Sequence, residues 1–293
     1  MDQTLQTPTF PPCVLTIAGS DSGGGAGIQA DLKSIMMQGC YGLSVVTALT
    51  AQNTRGVTAI EAPTPGFVAE QLRVVRDDFP LRAAKTGMLF SAPIIEAVAD
   101  GLVERDFPLV VDPVSISQSG ANLLEPTAVQ TLIDRLLPLA DLVTPNRPEA
   151  EMITGLAIKD EDDLSRAFDR FWELGLKAVL LKGGHFATSC LGEGVISDWL
   201  ATADGRVLTL ARPRIDTHNT HGTGCTLSAA IAAQLALGRS LFNAVAVARA
   251  YLQATLEYAY DLGGGDGPVN HLAPYQAALK KLQNSCTESC PAR

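Results

Sequence analysis

At 293 residues, 46% hydrophobic and 18% charged, the chain can bury a large core, as one big α/β domain or two smaller ones. A net charge of -9 argues against a nucleic-acid or anionic-membrane surface, which needs clustered Lys and Arg, so any phosphate site must be local. Residues 1–12 hold three prolines but neither a basic start nor an apolar h-region, and no apolar run approaches roughly 18 residues, so the expectation is a cytosolic protein with no membrane segment.

Cys13, Cys40, Cys190, Cys225, Cys286 and Cys290 lack the density of a secreted disulfide scaffold and are expected to be reduced. Cys286 and Cys290 fall in a polar tail, residues 276–293, expected to be partly disordered, and residues 1–12 read as a flexible extension.

In chain order, Cys13–Ala18 is a short apolar run bounded by prolines and glycine, as a buried strand would be. The glycine-rich loop 19–27 then enters a helix with Ile28, Leu32, Ile35 and Met36 at helical spacing. Its glycines miss the GxGxxG spacing of a dinucleotide fold, and GxxxxGK[ST] occurs nowhere. Asp31, one turn inside that helix, is either a solvated face residue or an acid reaching a ligand from a strand's C-terminal edge. A second strand, 43–49, runs out into Thr50-Ala51-Gln52-Asn53-Thr54, which sets Gln52 just past a strand end, where an amide could read a heterocycle edge.

A helix over 67–75 follows, then residues 83–89 as a strand leaving into a loop, then a helix carrying Ile94, Ile95, Val98 and Leu102. Residues 109–114 are the clearest strand; Asp112 at its end either caps the following turn or organises Mg²⁺ through water. After a helix over 126–137, strand 141–144 enters Pro145-Asn146-Arg147-Pro148-Glu149. A helix start there puts Asn146 and Glu149 on one side, as ligand groups or simply as favourable N-terminal residues. Helix 164–174 leads to strand Ala178–Leu181 and to Lys182-Gly183-Gly184; residues 195–200 and 207–210 pair as a hairpin around Ala203-Asp204-Gly205. A long helix from Leu241 to about Leu262 precedes a glycine-rich loop, 263–268, read as flexible.

Between these, Asn219-Thr220-His221-Gly222-Thr223-Gly224-Cys225-Thr226 feeds an alanine-rich helix. First-turn amides have no partner inside a helix, so this is an anion site or a tight turn with a buried cysteine. A thiol at Cys225 in that turn is expected to have a lowered pKa. The alternation of strand, loop and helix argues a mostly parallel sheet with helices on both faces and ligands at the strands' C-terminal edges; no linker divides residues 13–275, so one domain is expected.

Taken together, the motifs at residues 16–21, 24–33, 85–89, 144–150, 181–185 and 219–228 resemble hydroxymethylpyrimidine and phosphomethylpyrimidine kinase, a thiamine-pathway family of the ribokinase-like superfamily. The resemblance runs in order over about residues 13–271. It implies a three-layer αβα sandwich with a mostly parallel central sheet, ATP and Mg²⁺ as cofactors, and a homodimer. The implied reaction phosphorylates the hydroxymethyl group of 4-amino-5-hydroxymethyl-2-methylpyrimidine (HMP) and then gives the diphosphate. By the same resemblance Gln52 binds the aminopyrimidine with Asp31, Met88 and Gly19, while Asp112 and Glu149 hold Mg²⁺ largely through water. Lys182, Asn146 and Thr220 meet ATP; Gly222, Thr223 and Gly224 form the anion loop; and Cys225 is the general base where many ribokinase-like enzymes carry aspartate. His218 stands where the family often has lysine, and residues 115–120 replace its Met-x-x-Lys-Ser-Gly pattern. The competing readings are a pyridoxal-type kinase, a non-catalytic pyrimidine-binding protein, and an acyl transferase using Cys225 with His221.

Overall fold

The computed structural model describes residues 10–116, 120, 123–183 and 194–276. Its first strand, β1 (Cys13–Ala18), buries all six side chains because helices cover both faces of the sheet. It pairs in parallel with β2 (Tyr41–Val46) on one side and β5 (Leu81–Thr86) on the other. Beyond β5, the strands β6 (Leu109–Val111), β7 (Leu142–Val143) and β8 (Ala178–Leu181) extend the parallel set. An antiparallel hairpin, β9 (Val195–Thr202) and β10 (Val207–Pro213), completes the order β10-β9-β8-β7-β6-β5-β1-β2.

Even continuous apolar strands alternate between two cores. Leu15, Ile17, Leu109 and Val111 pack with α2 (Pro65–Asp78), α3 (Ala92–Leu102) and α6 (Glu161–Glu173). Val14, Val110 and Leu180 pack under α7 (Thr223–Ala236) and α8 (Leu241–Glu257), beside which lies α1 (Gly27–Met37). Helices therefore lie on both faces, the three-layer sandwich expected.

The structure corrects the sequence reading of several elements, among them strand 109–114, which stops at Val111. Residues 43–49 do not form one strand: β2 ends at Val46, and Leu49–Asn53 is β3, which pairs antiparallel with β4 (Gly56–Glu61) in a separate two-stranded sheet. Gln52 thus lies within a strand. The turn is built by Asn53, whose Oδ1 accepts the Arg55 amide at 2.9 Å, and by Gly56 at φ 155°. The segment 126–137 is a run of mixed 3₁₀, α and π turns that includes α4 (Val129–Thr131). Helix α8 stops at Glu257 instead of running to Leu262, and the Tyr260 amide then donates back to Pro268 O. The glycine loop 263–268 is pinned rather than free. Gly265 N and Asp266 N donate to Thr54 Oγ1 and O at 3.3 and 3.1 Å, and Gly267 N donates to Asn219 Oδ1 at 3.0 Å.

Cys13, Cys40 and Cys225 are free thiols. Cys190, Cys286 and Cys290, most of the expected N-terminal extension and nearly all of the expected tail lie outside the described residues. Among the described residues no helix is long and apolar enough to cross a membrane.

Candidate active site

The loops leaving the C-terminal ends of β1 and β5–β8 enclose a cavity of about 540 Å³. On the β1–β5 side the loop after β1 carries Gly19, whose amide donates to Met88 O at 3.1 Å; a Cβ at Gly19 would press on Met88 Sδ. Ser20 O accepts Thr50 Oγ1 at 2.8 Å, and Ser22 Oγ exchanges hydrogen bonds with the Gln52 backbone at 2.7 and 2.8 Å, so this loop also holds the β3–β4 hairpin. The Gln52 side-chain amide lies 3.1 Å from Thr50 Oγ1, whose one proton goes to Ser20 O, and it lines the cavity with hydrogen-bonding capacity to spare.

On the β6–β8 side, Asp112 follows β6, Lys182 follows β8, and between them α5 (Arg147–Thr154) starts after β7. Asn146 caps α5 in a reciprocal box: its Oδ1 accepts from Glu149 N at 2.9 Å, and Glu149 Oε2 accepts from Asn146 N at 2.8 Å. The Lys182 ammonium lies 3.1 Å from Asp112 Oδ1 and 3.7 Å from Glu149 Oε2. Burial would raise the Asp112 carboxyl, but Lys182 and Lys85 outweigh it and hold it below the usual range. At Glu149 burial wins over Lys182, aided by Asp112, and the carboxyl is pushed up to about 7.

Between the two sides runs Gly222, the N-cap of α7 at φ 83°, where a Cβ would overlap Gly25 O. The left-handed conformation and the backbone contact both require glycine. The amides of Gly224 and Cys225 then lie in the first turn, without intrahelical carbonyls to bond. A Cβ on Gly224 would stand 3.5 Å from Asp112 Oδ2 and 3.6 Å from Lys182 Nζ, so this turn faces the carboxylate and lysine directly. Ser228, one turn on, donates to Asp112 Oδ2 at 3.2 Å.

Thr220, Thr223 and every other residue expected at the site line this cavity, except one. Asp31 is fully buried away from it, accepting Thr16 Oγ1 at 2.6 Å and paired with Lys85 at 3.0 Å. Neither reading of Asp31, solvated face or ligand contact, describes that position. The lowered thiol pKa expected at Cys225 is also overturned: burial, with Asp31 and Asp112 adding to it, pushes the thiol up to about 12 against Lys85 and a hydrogen bond from the Gly27 amide. His221 turns to Asp21 Oδ2 at 2.8 Å rather than serving Cys225, which leaves the acyl-transfer pair unformed. His218 is solvent-exposed and lies 3.2 Å from Asp261; residues 117–119, 121–122 and 184–193 are outside the description.

Sequence reasoning missed Lys85 and Asp21. A lysine inside an apolar strand ending was the available signal for Lys85, and a lone acid amid five glycines, 19–27, was that for Asp21.

For a divalent cation the donor set fits Mg²⁺, which takes one or two carboxylates and completes its shell with waters and phosphate oxygens. Asp112 and Glu149 supply two carboxylates; among the described residues no group of three or more His, Cys, Asp or Glu could hold a metal alone.

A glycine-capped helix N-terminus facing a lysine and two acids across a doubly wound sheet defines the ribokinase-like class of phosphotransferases. The phosphomethylpyrimidine kinase family model matches residues 21–270, and the chain belongs to that family. It is 49% identical over 261 residues to the hydroxymethylpyrimidine/phosphomethylpyrimidine kinase of Haemophilus influenzae, covering 89% of this chain and 96% of that one. It is 53% identical over 260 residues to the thiamine biosynthesis bifunctional protein ThiED of Geobacter sulfurreducens, where the match takes 88% of this chain but 52% of the longer relative. The pyridoxal kinase of Bacillus subtilis, solved as an ADP complex, superposes with a TM-score of 0.80 at 33% identity, over 90% of this chain and 98% of that one.

Proposed function

We propose that the protein transfers a phosphoryl group from Mg-ATP to the hydroxymethyl oxygen of HMP, and a second to the resulting phosphate ester, as a cytosolic homodimer in the thiamine pathway. One observation carries this reading. A single cavity places Gln52, Met88 and Gly19 on one side and Lys182, Asp112, Asn146 and Glu149 on the other, with the first turn of α7 between them. Phosphoryl transfer asks for that layout: an acceptor held on one side, phosphates on the other, and donors aimed at the oxygens where charge develops.

In this reading the Gln52 amide donates to the heterocycle, with Met88 packing beside the ring. Lys182 and the Gly222–Cys225 amides neutralise oxygens of the transferred group. Thr220 and Asn146 lie along the nucleotide. Asp112 and Glu149 would hold Mg²⁺, which would supply charge neutralisation at the phosphate oxygens. In the free protein Cys225 is a thiol; to take the hydroxyl proton it must ionise once ligands are bound, and the Lys85 ammonium and Gly27 amide are the groups placed to stabilise a thiolate.

Pyridoxal is the competing acceptor, favoured by the superposition on pyridoxal kinase. Incubation with Mg-ATP and either HMP or pyridoxal, followed by mass spectrometry, separates them: HMP mono- and diphosphate are expected. No phosphorylation of HMP would overturn the reading, and exclusive turnover of pyridoxal would replace it.

A further inference from the structure

The loop after β1 and the loop before α7 come from opposite ends of the sequence, yet their backbones rest on each other at Gly222 and Gly25, with no space for a Cβ at either. Such a contact is only van der Waals and does not fix a register by itself. One side-chain pair does. His221 Nε2 meets Asp21 Oδ2 at 2.8 Å, the two side chains 9% and 1% exposed. Because an ionised carboxylate can only accept, the histidine nitrogen is the donor.

Asp21 is saturated from its own loop as well. Its Oδ1 accepts Gly23 N at 2.8 Å, and its Oδ2 accepts Gly25 N and Ala26 N at 2.9 and 2.8 Å. Burial would raise this carboxyl, but His221, with the Ala26 and Gly23 amides, outweighs it and holds the group ionised below the ordinary range. His221 is anchored on its other side, its amide donating to Gly267 O at 3.1 Å. The residues flanking Asp21, Ser20 and Ser22, hold Thr50 and Gln52. A continuous chain of bonds therefore runs from the strand carrying Gln52, through the first loop and Asp21, to His221 and the first turn of α7.

We propose that Asp21 and His221 are a positioning pair: they set the Gly222–Cys225 amides at a fixed distance from the acceptor held at Gln52, without touching the reacting atoms. The energy at stake lies in the transition state, where a misaimed donor costs rate and leaves ground-state binding of the acceptor alone. The kinetic part rests on the kinase reading; the exchange measurement below does not.

The test uses His221→Ala, His221→Gln, Asp21→Asn and the Asp21→Asn/His221→Ala double variant, each checked for folding by thermal melting. His221→Ala should lower kcat by about 10–100-fold while calorimetric affinity for HMP stays within about twofold. His221→Gln keeps an N–H donor at similar reach and should recover most of that loss, which a purely structural role would not predict. If the pair acts as one unit, the double variant should be no slower than Asp21→Asn alone. Parent-like kcat in His221→Ala, a Gln variant no better than Ala, or additive losses in the double would each overturn the pair. Should His221→Ala not fold, Asp21→Asn takes its place: a kcat lowered by about 10–100-fold with HMP affinity within about twofold supports the pair, and a parent-like kcat overturns it. Independently of any substrate, amides 222–226 should exchange hydrogen faster in His221→Ala, or in Asp21→Asn if that variant fails, while α2 is unaffected; unchanged exchange there would also overturn the proposal. A parent inactive toward both acceptors, with the exchange result as expected, would condemn the kinase reading and spare the pair.

Discussion

Asp31 and Lys85 form an ion pair at 3.0 Å in which neither side chain has any solvent exposure. Burial lowers the Lys85 pKa, but Asp31, with Asp112 adding, outweighs it and keeps the ammonium charged. Removing one partner leaves the other as an uncompensated charge in the interior. Lys85→Met should therefore lower unfolding stability by about 3–5 kcal/mol in urea titration, and the Asp31→Asn/Lys85→Met double variant should lose less than the single. A denaturation midpoint equal to the parent's would show that the pair is not ionised.

Lys182 answers to two carboxylates, Asp112 and Glu149, and a ligand phosphate is a third anion for the same ammonium. Its contribution grows as charge moves onto the transferred oxygens, so Lys182→Ala should cut turnover by roughly 10²–10³-fold with HMP affinity unchanged. Turnover at the parent's rate would remove Lys182 from the chemistry.

Ser22 Oγ holds the Gln52 backbone and Thr50 Oγ1 lies 3.1 Å from its side-chain amide before any ligand arrives, so the residue is placed in advance. Truncating it leaves ring nitrogens of a bound pyrimidine unmatched, at a cost of about 1–3 kcal/mol. Calorimetry on Gln52→Ala should show that loss for HMP and none for ATP; equal HMP affinity would reject the assignment.

His271 gives the pH dependence. It is buried, its Nε2 lies 3.0 Å from Thr226 Oγ1, and burial, with Lys33 adding, holds its pKa down to about 4. Folded protein thus binds fewer protons than unfolded chain between pH ~6.5, the ordinary histidine value, and pH ~4. This part of the stability, roughly 3 kcal/mol at 1.36 kcal/mol per pH unit, is present above pH ~6.5 and lost as pH falls through that window. His271→Gln, which cannot titrate, should flatten the fall in melting temperature from pH 7 to 4.5; an identical slope would contradict it.

The parallel core was legible because β1 and β8 are short apolar runs closed by glycine or lysine at their ends, and period-two alternation was not needed to find them. The β3–β4 hairpin was not, since Leu49, Ala51 and Ala59 are exposed and its strands carry no buried stripe, so only the Asn53-to-Gly56 turn announced it. Cavity positions such as Asp112, Lys182 and Gly222 were legible because chemistry at strand ends and helix starts is local in sequence. Asp31, Lys85 and Asp21 were misread or passed over because their partners lie 54 and 200 residues away, and no spacing rule reaches that far. The Cys225 error has the same origin: helix position favours a thiolate, but burial, which depends on the whole fold, outweighs it.

That reversal sharpens the question of how Cys225 works. Cys225 is partly exposed at the cavity, but desolvation pushes its thiol up to about 12, so in the free protein it should react slowly with iodoacetamide below pH ~10, as peptide mapping would show. If it is the general base, it must ionise with ligands in place. Serine preserves shape and the backbone amide but cannot ionise near neutral pH, so Cys225→Ser should lose about 10²–10⁴-fold in turnover with ATP affinity unchanged, and Cys225→Asp should recover part of the rate. If Cys225 only completes the anion loop, serine does the same, and turnover should stay within a few fold of the parent. Steady-state kinetics on folded Cys225→Ser separates the two: a parent-like rate would remove the base assignment and leave the α7 amides, with Lys182, to carry the transfer.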